Sequence, residues 1–215
     1  KHGREQMPLK GKGFDRMDDE VTYTASMDGK IEMQNDRIVV LPVHEVSGNA
    51  ELAEGNIDFR GDIVIHGNVE SGVNIRATGS ITIDGVAEAC MLEAGKDIIL
   101  RGGMLGGNKA SVKTKGAITA KFFEFTNILC EGDLQADVLM DCSVICHGQI
   151  RLTGRKGSII GGKVQAIRGL IATSLGNDAE KRTEIFVGAG IDVYSRLRVM
   201  EKKIEMTREE LAKIE

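Results

Sequence analysis

Cysteine and histidine residues at a spacing that could hold a metal ion occur at one place in the sequence. Cys142, Cys146 and His147 follow one another closely, and on a helix the two thiols would share a face. The apolar–polar alternation of this stretch predicts a strand instead, on which the two cysteines stand about 13 Å apart. Because one ion cannot span that distance without a turn between its ligands, we predict no metal site here.

Packing explains the cysteines better than redox chemistry does. Cys130 and Cys146 hold the same position in a repeated pattern, which predicts stacked neighbours in the core with Cα atoms within disulfide range. The chain has only four cysteines, too few and too irregularly spaced for a disulfide scaffold of this length. We predict reduced, buried and unreactive thiols, as expected in the cytoplasm.

Acidic residues recur near the turns of the same pattern, at Asp62, Asp97 and Asp133. A calcium or lyase site of the pectate-lyase kind requires such carboxylates to cluster in a groove. The row is interrupted at the equivalent positions Ser80, Ala117, Gln149 and Lys163. We therefore interpret these aspartates as turn caps. No Ser–His–Asp arrangement has a recognisable context, and the sequence assigns no catalytic residue and no cofactor.

The glycine-rich stretch 154–162 is the remaining candidate site. A phosphate-binding loop needs a strand before it, a helix after it and a Lys followed by Ser or Thr, which Lys163 and Val164 do not provide. Glycines at the corners of a repeat explain the stretch better. It contains Arg155 and Lys156, and we predict this loop as the candidate binding site for an anionic or protein partner.

The composition restricts the classes of partner. The 215 residues carry a formal net charge of −4, and a nucleic-acid partner, which would need clustered Lys and Arg for its phosphates, is not expected. We see no signal peptide and no apolar run long enough to cross a membrane, so we predict a cytoplasmic location without direct membrane insertion. Glycine is abundant, with 27 residues, and proline is rare, with 2, which indicates many tight turns rather than disorder.

The elements that position these residues form an internal repeat. Its unit begins with a turn residue and a polar residue. Two apolar residues at alternate positions, a polar residue and a final Gly follow, as in residues 61–67 and 79–85. The first residues of successive units, here called anchors, are Gly61, Gly79, Lys96, Gly116, Gly132, Gly148 and Gly162. The gaps between anchors range from 14 to 20 residues. Because Gly95 stands one place early, we interpret Lys96 as following a one-residue insertion.

Apolar residues flank the anchors at alternate positions. Those two and four places after each anchor are all apolar, and those four and two places before the first six anchors are apolar except Thr114. Such alternation predicts strands, and the repeat is too short for a helical solenoid. The variable gaps do not keep the strict hexapeptide period of left-handed β-helices. We predict an all-β fold, a right-handed single-stranded parallel β-helix over residues 47–190, with seven rungs and an eighth partial turn before Thr183–Val187.

Both ends of the chain depart from the repeat. Residues 1–46 predict an N-terminal β-meander that covers the first end of the β-helix. Residues 191–215 predict a C-terminal α-helix with the a/d seam of a coiled coil, made of Leu197, Met200, Ile204, Thr207, Leu211 and Ile214. Two interpretations stay open: an amphipathic helix packed on the β-helix, or a coiled-coil arm that makes the chain a homo-oligomer.

Three stretches, residues 55–69, 120–124 and 154–162, carry a family resemblance. They read Gly-Asn-Ile-Asp-Phe-Arg-Gly-Asp-Ile-Val-Ile-His-Gly-Asn-Val, Ala-Lys-Phe-Phe-Glu and Gly-Arg-Lys-Gly-Ser-Ile-Ile-Gly-Gly. In this order they resemble the flagellar assembly protein A (FapA) family of bacteria. The resemblance implies a right-handed β-helix, a β-rich N-terminal region, a long helical segment after the β-helix, partner binding, polar localisation and no established catalytic residues. Arg155 departs from the Lys that is frequent in the family.

These observations predict a non-enzymatic scaffold that acts through contacts with protein partners of unknown identity. The alternative is a polymer-forming cytoskeletal β-helix of the bactofilin or MinC kind. A third and weaker alternative is a carbohydrate-active enzyme, since right-handed β-helices often carry polysaccharide lyases and hydrolases. That alternative requires acidic side chains that converge in a groove.

Overall fold

The computed structural model describes residues 10–19, 21–27, 29–35, 37–154 and 157–188, together with Met200 and Ile204. The N-terminal strands are β1 (Gly11–Lys12), β2 (Phe14–Arg16), β3 (Tyr23–Ala25), β4 (Lys30–Gln34) and β5 (Arg37–Leu41). The later strands are β6 (Val43–Val46), β7 (Ile57–Phe59), β8 (Asp62–Ile65), β9 (Asn74–Ala77), β10 (Ile81–Ile83), β11 (Ala87–Glu88), β12 (Met91–Ala94), β13 (Ile98–Leu100), β14 (Met104–Thr114), β15 (Ile118–Ala120), β16 (Phe122–Cys130), β17 (Leu134–Ala136), β18 (Val138–Cys146), β19 (Gln149–Leu152), β20 (Ser158–Ala166), β21 (Gly169–Ile171), β22 (Ser174–Leu175) and β23 (Thr183–Val187). A short 3-10 helix spans Leu52–Glu54.

The N-terminal strands form two small sheets. Strands β4 and β5 form an antiparallel hairpin, and β1 pairs in parallel with the other edge of β5. Strand β3 pairs with β2 in an antiparallel sheet of its own. The three strands of the predicted meander are present, but β3 does not pair with β4. Strands β1 and β2 were not predicted, because two or three residues are too few for a period to show.

From β6 onward the strands stack into a parallel solenoid of eight coils. One sheet takes one strand from each coil, in the order β21-β19-β17-β15-β13-β10-β8-β6. A second sheet follows the path β22-β20-β18-β16-β14-β12-β9-β7, with β11 attached to β14 and β23 attached to β20. Every pairing within these two sheets is parallel. The predicted parallel β-helix is therefore confirmed.

Each coil has three sides, so the solenoid is a three-sided prism. Face A is the eight-stranded sheet. Face B consists of β11, β22 and the first parts of β14, β16, β18 and β20, and face C consists of β7, β9, β12, β23 and the second parts of those four long strands. The long strands bend from face B to face C at residues with positive φ, which are Asn108 (61°), Phe125 (47°), Asp141 (50°) and Gly161 (70°).

The core consists of apolar columns with one residue from each coil. The column of face A contains Ile63, Ile81, Ile98, Ile118, Leu134 and Ile150. The column of face B contains Val69, Ala87, Met104, Phe123, Leu139 and Ile159, and that of face C contains Ile75, Leu92, Val112, Ile128, Val144 and Val164. All of these side chains are buried. Thr114 is also buried, and its hydroxyl donates a hydrogen bond to the carbonyl of Lys96, which offsets the cost of desolvation.

The position of the last predicted anchor is wrong. The coil after Gly148 places Arg168 at the anchor, where the Arg168 N–H donates to the Gly148 carbonyl at 3.1 Å. Val164 pairs with Val144 on face C, so it precedes the anchor and does not follow it. Gly162 lies just after the bend between faces B and C. The error arose because glycines at this bend and glycines at an anchor look alike in the sequence. The eighth turn at Thr183–Val187 is present as β23.

Lys96 does not follow an insertion. The pairings Ala94↔Ala77 and Ile98↔Ile81 keep one register on both sides of it. The Lys96 N–H donates to the carbonyl of Gly79, the anchor of the preceding coil, at 3.1 Å. The predicted one-residue insertion is therefore wrong, and Lys96 is an ordinary anchor with a side chain.

The predicted C-terminal helix lies outside the described residues, except for Met200 and Ile204. These two residues are helical, and their side chains are 61% and 55% exposed. Since they are four places apart, they lie on one face of a helix.

Candidate functional site

Side-chain oxygens at the corners of the prism cap backbone N–H groups of the next coil. At the anchor corner, the carboxylate of an aspartate accepts a hydrogen bond from the N–H one coil further on, in the pairs Asp62–Ser80 (2.7 Å), Asp97–Ala117 (2.7 Å) and Asp133–Gln149 (2.8 Å). The predicted capping role is confirmed, with the difference that each aspartate caps the following coil and not its own turn. Asn49 and Asn68 make the same bonds at the corner between faces A and B.

An aspartate cap excludes a side chain at the next anchor. A Cβ atom would lie 2.1 Å from the Asp62 carboxylate at Gly79, 2.3 Å from that of Asp97 at Gly116 and 2.4 Å from that of Asp133 at Gly148. Since real Cβ atoms do not approach so closely, glycine is required above an aspartate cap. The backbone can require glycine as well, since a Cβ atom at Gly132 would lie 2.6 Å from the Gly116 carbonyl oxygen. The two anchors with side chains, Lys96 and Arg168, stand above Ser80 and Gln149, which have no carboxylate.

The aspartate row does not form the converging acidic cluster that a lyase or hydrolase needs. Asp62, Asp97 and Asp133 lie on alternate coils, and the backbone N–H of the next coil holds each carboxylate at the corner. The Arg168 guanidinium also donates to Asp133, at 2.8 Å. Within the described ranges, no group of three or more His, Cys, Asp or Glu side chains is placed to hold a metal ion.

His66 connects three neighbouring coils through ion pairs. Its Nδ1 lies 2.9 Å from Asp84 and its Nε2 lies 2.8 Å from Glu45. Glu45 also pairs with Lys30 of β4, and Asp84 pairs with Arg101 at 3.2 Å. Because each ring nitrogen faces a carboxylate, both favour carrying a proton, and the hydrogen bonds to Glu45 and Asp84 raise the pKa of His66. This histidine is suited to be a structural cation rather than a general base.

We expect an NMR titration of the imidazole signals to give His66 a pKa above its usual value of 6.5. Because the folded chain favours the protonated form, this contribution to stability is fully present below the usual pKa and is lost as the pH rises through the raised pKa. Asp84→Asn should lower the pKa of His66 by removing one carboxylate. Asp97→Asn, at another corner, should leave it unchanged, and a wild-type pKa at or below 6.5 would contradict the assignment.

The four cysteines are buried free thiols. Cys130 and Cys146 stand opposite each other on β16 and β18, so the predicted stacking is confirmed. Their Sγ atoms lie 3.4 Å and 3.2 Å from the carbonyl oxygen of Gly132, to which each thiol can donate. The neighbouring Cys146 thiol, together with burial, raises the pKa of Cys130, and burial raises the pKa of Cys90 to about 12 and that of Cys142 to about 11. The hydrogen bond with Cys130 lowers the pKa of Cys146, which is buried like the other three. Since the thiolate is the reactive form and needs access to reagent, burial suits these cysteines to packing.

Labelling with a thiol reagent tests this assignment. We expect the native chain to react slowly at about pH 8, because all four thiols are buried, and all four cysteines to react once it is unfolded. Ile145→Cys, which places a thiol at an exposed position of the same strand as Cys142 and Cys146, should react at the rate of a free thiol. Fast labelling of the native wild-type chain would overturn the assignment.

The candidate residues Arg155 and Lys156 lie outside the described residues. Ala136 and Asp137 are consecutive in one coil, whereas the residues of the next coil that donate to their carbonyls are Thr153 and Ser158, each at 3.2 Å. The sequence between Thr153 and Ser158 is therefore four residues longer than the same part of the preceding coil. A Cβ atom at Gly154 would lie 2.2 Å from the Asp137 carboxyl carbon, so the loop begins directly against Asp137.

A pocket of about 350 Å³ lies on face B next to Asp137. Its apolar wall consists of Phe122, Val138 and Met140, and the charged residues Lys121, Glu124 and Asp137 line it as well. None of the three charged side chains forms an ion pair with another described residue. This pocket could not be predicted from the sequence, because its residues come from two coils and only their stacking brings them together.

The outward column of face C changes character halfway along the prism. Its first four residues, Asp58, Arg76, Glu93 and Lys113, alternate in charge, and Glu93 pairs with its neighbours at 3.0 Å and 3.5 Å. The next two are Leu129 and Ile145, whose side chains are 36% and 44% exposed. Face C therefore presents this stacked apolar pair to solvent, and the same column continues with Gln165.

Comparison with known proteins assigns the chain to a family. Within the described part of the chain we find no helix with the length and hydrophobicity that a membrane span requires. No curated protein and no solved structure matches the sequence significantly. The family model described as the flagellar assembly protein A (FapA) beta solenoid domain matches residues 42–215, a range that includes all eight coils. With the parallel solenoid on which this match falls, the chain belongs to the FapA family.

Proposed function

We propose that this chain is a non-enzymatic scaffold of flagellar assembly in the bacterial cytoplasm, and that it acts by presenting the faces of a rigid prism to protein partners. The proposal also includes self-association through the C-terminal helix. Membership of the FapA family supports the connection with flagellar assembly. The solenoid supports a display role, since stacked parallel strands hold outward side chains at fixed spacings.

The observation that carries the proposal is the stacked apolar pair Leu129 and Ile145 on face C. Both side chains are exposed, and they follow the paired charges of Glu93 and Lys113. An apolar centre with a polar rim is typical of protein–protein interfaces. An enzyme of the β-helix class needs converging, unpaired acidic residues in a groove, whereas the carboxylates of Asp58 and Glu93 in a pocket on this face both lie next to the Arg76 guanidinium.

The test combines a pull-down of the full-length protein from its own cells with a motility assay. We expect the deletion strain to lose normal swimming. Ile145→Lys should lose partners that the wild-type protein retains, because it buries a charge in the contact. Thr119→Lys, an outward position of face A, is the matched control and should retain them. Normal swimming of the deletion strain would remove the flagellar role, and equal partner sets for both variants would remove the role of face C.

A second candidate function, a polymer of the bactofilin or MinC kind, is favoured by the last coil. Among the described residues, β21, β22 and β23 each pair on one side alone. Ile171, Leu175 and Val187 at this end are 51%, 58% and 59% exposed. Open strand edges of this kind can pair with another chain. Filaments of the purified protein in electron micrographs would favour this function, and a discrete species of low mass would remove it.

A further inference from the structure

We propose that the pocket on face B receives the C-terminal helix of a second copy of this chain, through the side chains of Met200 and Ile204. This inference deepens the self-association included in the proposed function and rests on it. In this arrangement the C-terminal helix of one copy docks on the solenoid of the other copy and does not pair with the other copy's helix.

The two surfaces are complementary in polarity. Met200 and Ile204 are helical, four places apart and more than half exposed, so they present an exposed apolar ridge. The pocket offers an apolar wall of matching chemistry, made by Phe122, Val138 and Met140. Docking of an apolar helix face in a hydrophobic groove is a recurring mode of recognition.

The spacing of the two surfaces also agrees. Phe122 and Val138 are partners on adjacent strands, so they stand about 4.8 Å apart along the prism axis. Helix residues four places apart are separated by about 6 Å along the helix axis. A helix that lies roughly along the prism axis therefore places Met200 and Ile204 over successive coils. The column that continues from Met140 to Ile160 extends the apolar surface by one more coil.

The formal charges of the pocket and of the C-terminal segment are opposite, which favours this segment over an uncharged one. The pocket is lined by two carboxylates, Glu124 and Asp137, and one ammonium group, Lys121, so its formal charge is −1. The segment 196–204 contains four basic residues and one acidic residue, a formal charge of +3. The carboxylates of Glu124 and Asp137 lack ion-pair partners among the described residues, and basic residues of this segment can supply them.

We assign the contact to a second copy because Met200 and Ile204 are more than half exposed and are not among the residues that line the pocket of their own chain. If each copy donates its helix to the other, the same contact forms twice around a two-fold axis and the assembly closes as a dimer. Such an exchange needs no new surface, since both halves of the contact belong to one chain.

Disulfide trapping in the intact 215-residue chain tests the proposal. Two single variants, Met140→Cys and Ile204→Cys, are mixed, equilibrated and oxidised. We expect a cross-linked dimer of one copy of each variant, and no cross-link from Ile204→Cys alone. A mixture of Ile145→Cys with Ile204→Cys is the matched control, since Ile145 lies on the same strand as Met140 but on face C, and it should give no cross-link.

Each of the other cross-linking results would contradict one part of the proposal. Cross-linking of Ile204→Cys with itself would show a coiled coil, which keeps self-association and removes the pocket. A cross-link found only inside the double variant Met140→Cys/Ile204→Cys would show docking within one chain. A monomer without cross-links in every mixture would remove self-association altogether, while the pull-down tests the scaffold role separately.

Light scattering provides an independent measurement. Met140→Lys and Ile204→Lys should each weaken the dimer by at least about tenfold, since each places a charge in the buried centre of the contact. Thr119→Lys, at an exposed position of face A, should leave the dimer unchanged. Glu124→Lys should weaken it, and Lys203→Glu in the same chain should restore part of the loss. Equal dimer stability of Met140→Lys and the wild-type chain would contradict the proposal.

Discussion

Gly79→Ala is expected to destabilise the solenoid by about 3 kcal/mol, a large effect for the addition of one methyl group. The new Cβ atom would lie 2.1 Å from the Asp62 carboxylate and 2.7 Å from the Gly61 carbonyl oxygen. Relief requires the carboxylate to give up its hydrogen bond to the Ser80 N–H or the two coils to separate. Urea unfolding followed by circular dichroism measures the change.

A double-mutant cycle separates the cost of Gly79→Ala that is due to the Asp62 carboxylate from the cost that is due to the backbone. Asp62→Ser removes the carboxylate and should cost about 1 kcal/mol, the value of one hydrogen bond. Gly79→Ala should then cost less in the Asp62→Ser chain than in the wild-type chain, because the nearest clashing atom is gone. The chain already contains this combination, with Lys96 above Ser80. Equal costs in both backgrounds would show that the backbone alone demands glycine.

Gly48→Ala is the control for the cost of replacing a glycine. A Cβ atom at Gly48 would meet no atom within 4 Å. Its substitution should change the free energy of unfolding by less than about 0.5 kcal/mol. A large effect there would mean that these glycines matter for the flexibility of the unfolded chain rather than for the close approach of coils.

Phe123→Ala is expected to destabilise the chain by about 3 to 5 kcal/mol. Phe123 is fully buried and stacks between Met104 and Leu139 in the core column of face B. Its removal leaves a cavity that neighbouring coils cannot fill, since the strand ladder holds them at a fixed separation. Phe123→Met fills most of the volume and should cost less than about 1.5 kcal/mol.

Hydrogen exchange shows where the stability is lost. In a solenoid each coil contacts its neighbours alone, so Phe123→Ala should reduce amide protection most in the coils of β14, β16 and β18. Protection near β8, several coils away, should fall less. Uniform loss of protection along the whole prism would indicate that the solenoid unfolds as one cooperative unit.

The sequence by itself determined the repeat, the inward columns and the role of the aspartates. These features depend on period-two alternation and on turn chemistry, which are local properties, so Ile63, Ile81 and Ile98 could be placed in one column before any pairing was known. The stacking of Cys130 on Cys146 followed from the same register. The family resemblance was likewise visible in the linear pattern of residues.

The tertiary structure decided which coil contacts which residue. The anchor at Arg168 and the bend at Gly162 could not be told apart from sequence, because the pairing of Val164 with Val144 is a contact between coils. The requirement for glycine at Gly79 depends on a carboxylate one coil away. The pocket on face B likewise exists because β16 and β18 stack their outward side chains. Local alternation sets the inside and the outside of each coil, but the surface is made by neighbours that are distant in the chain, and only their register brings them together.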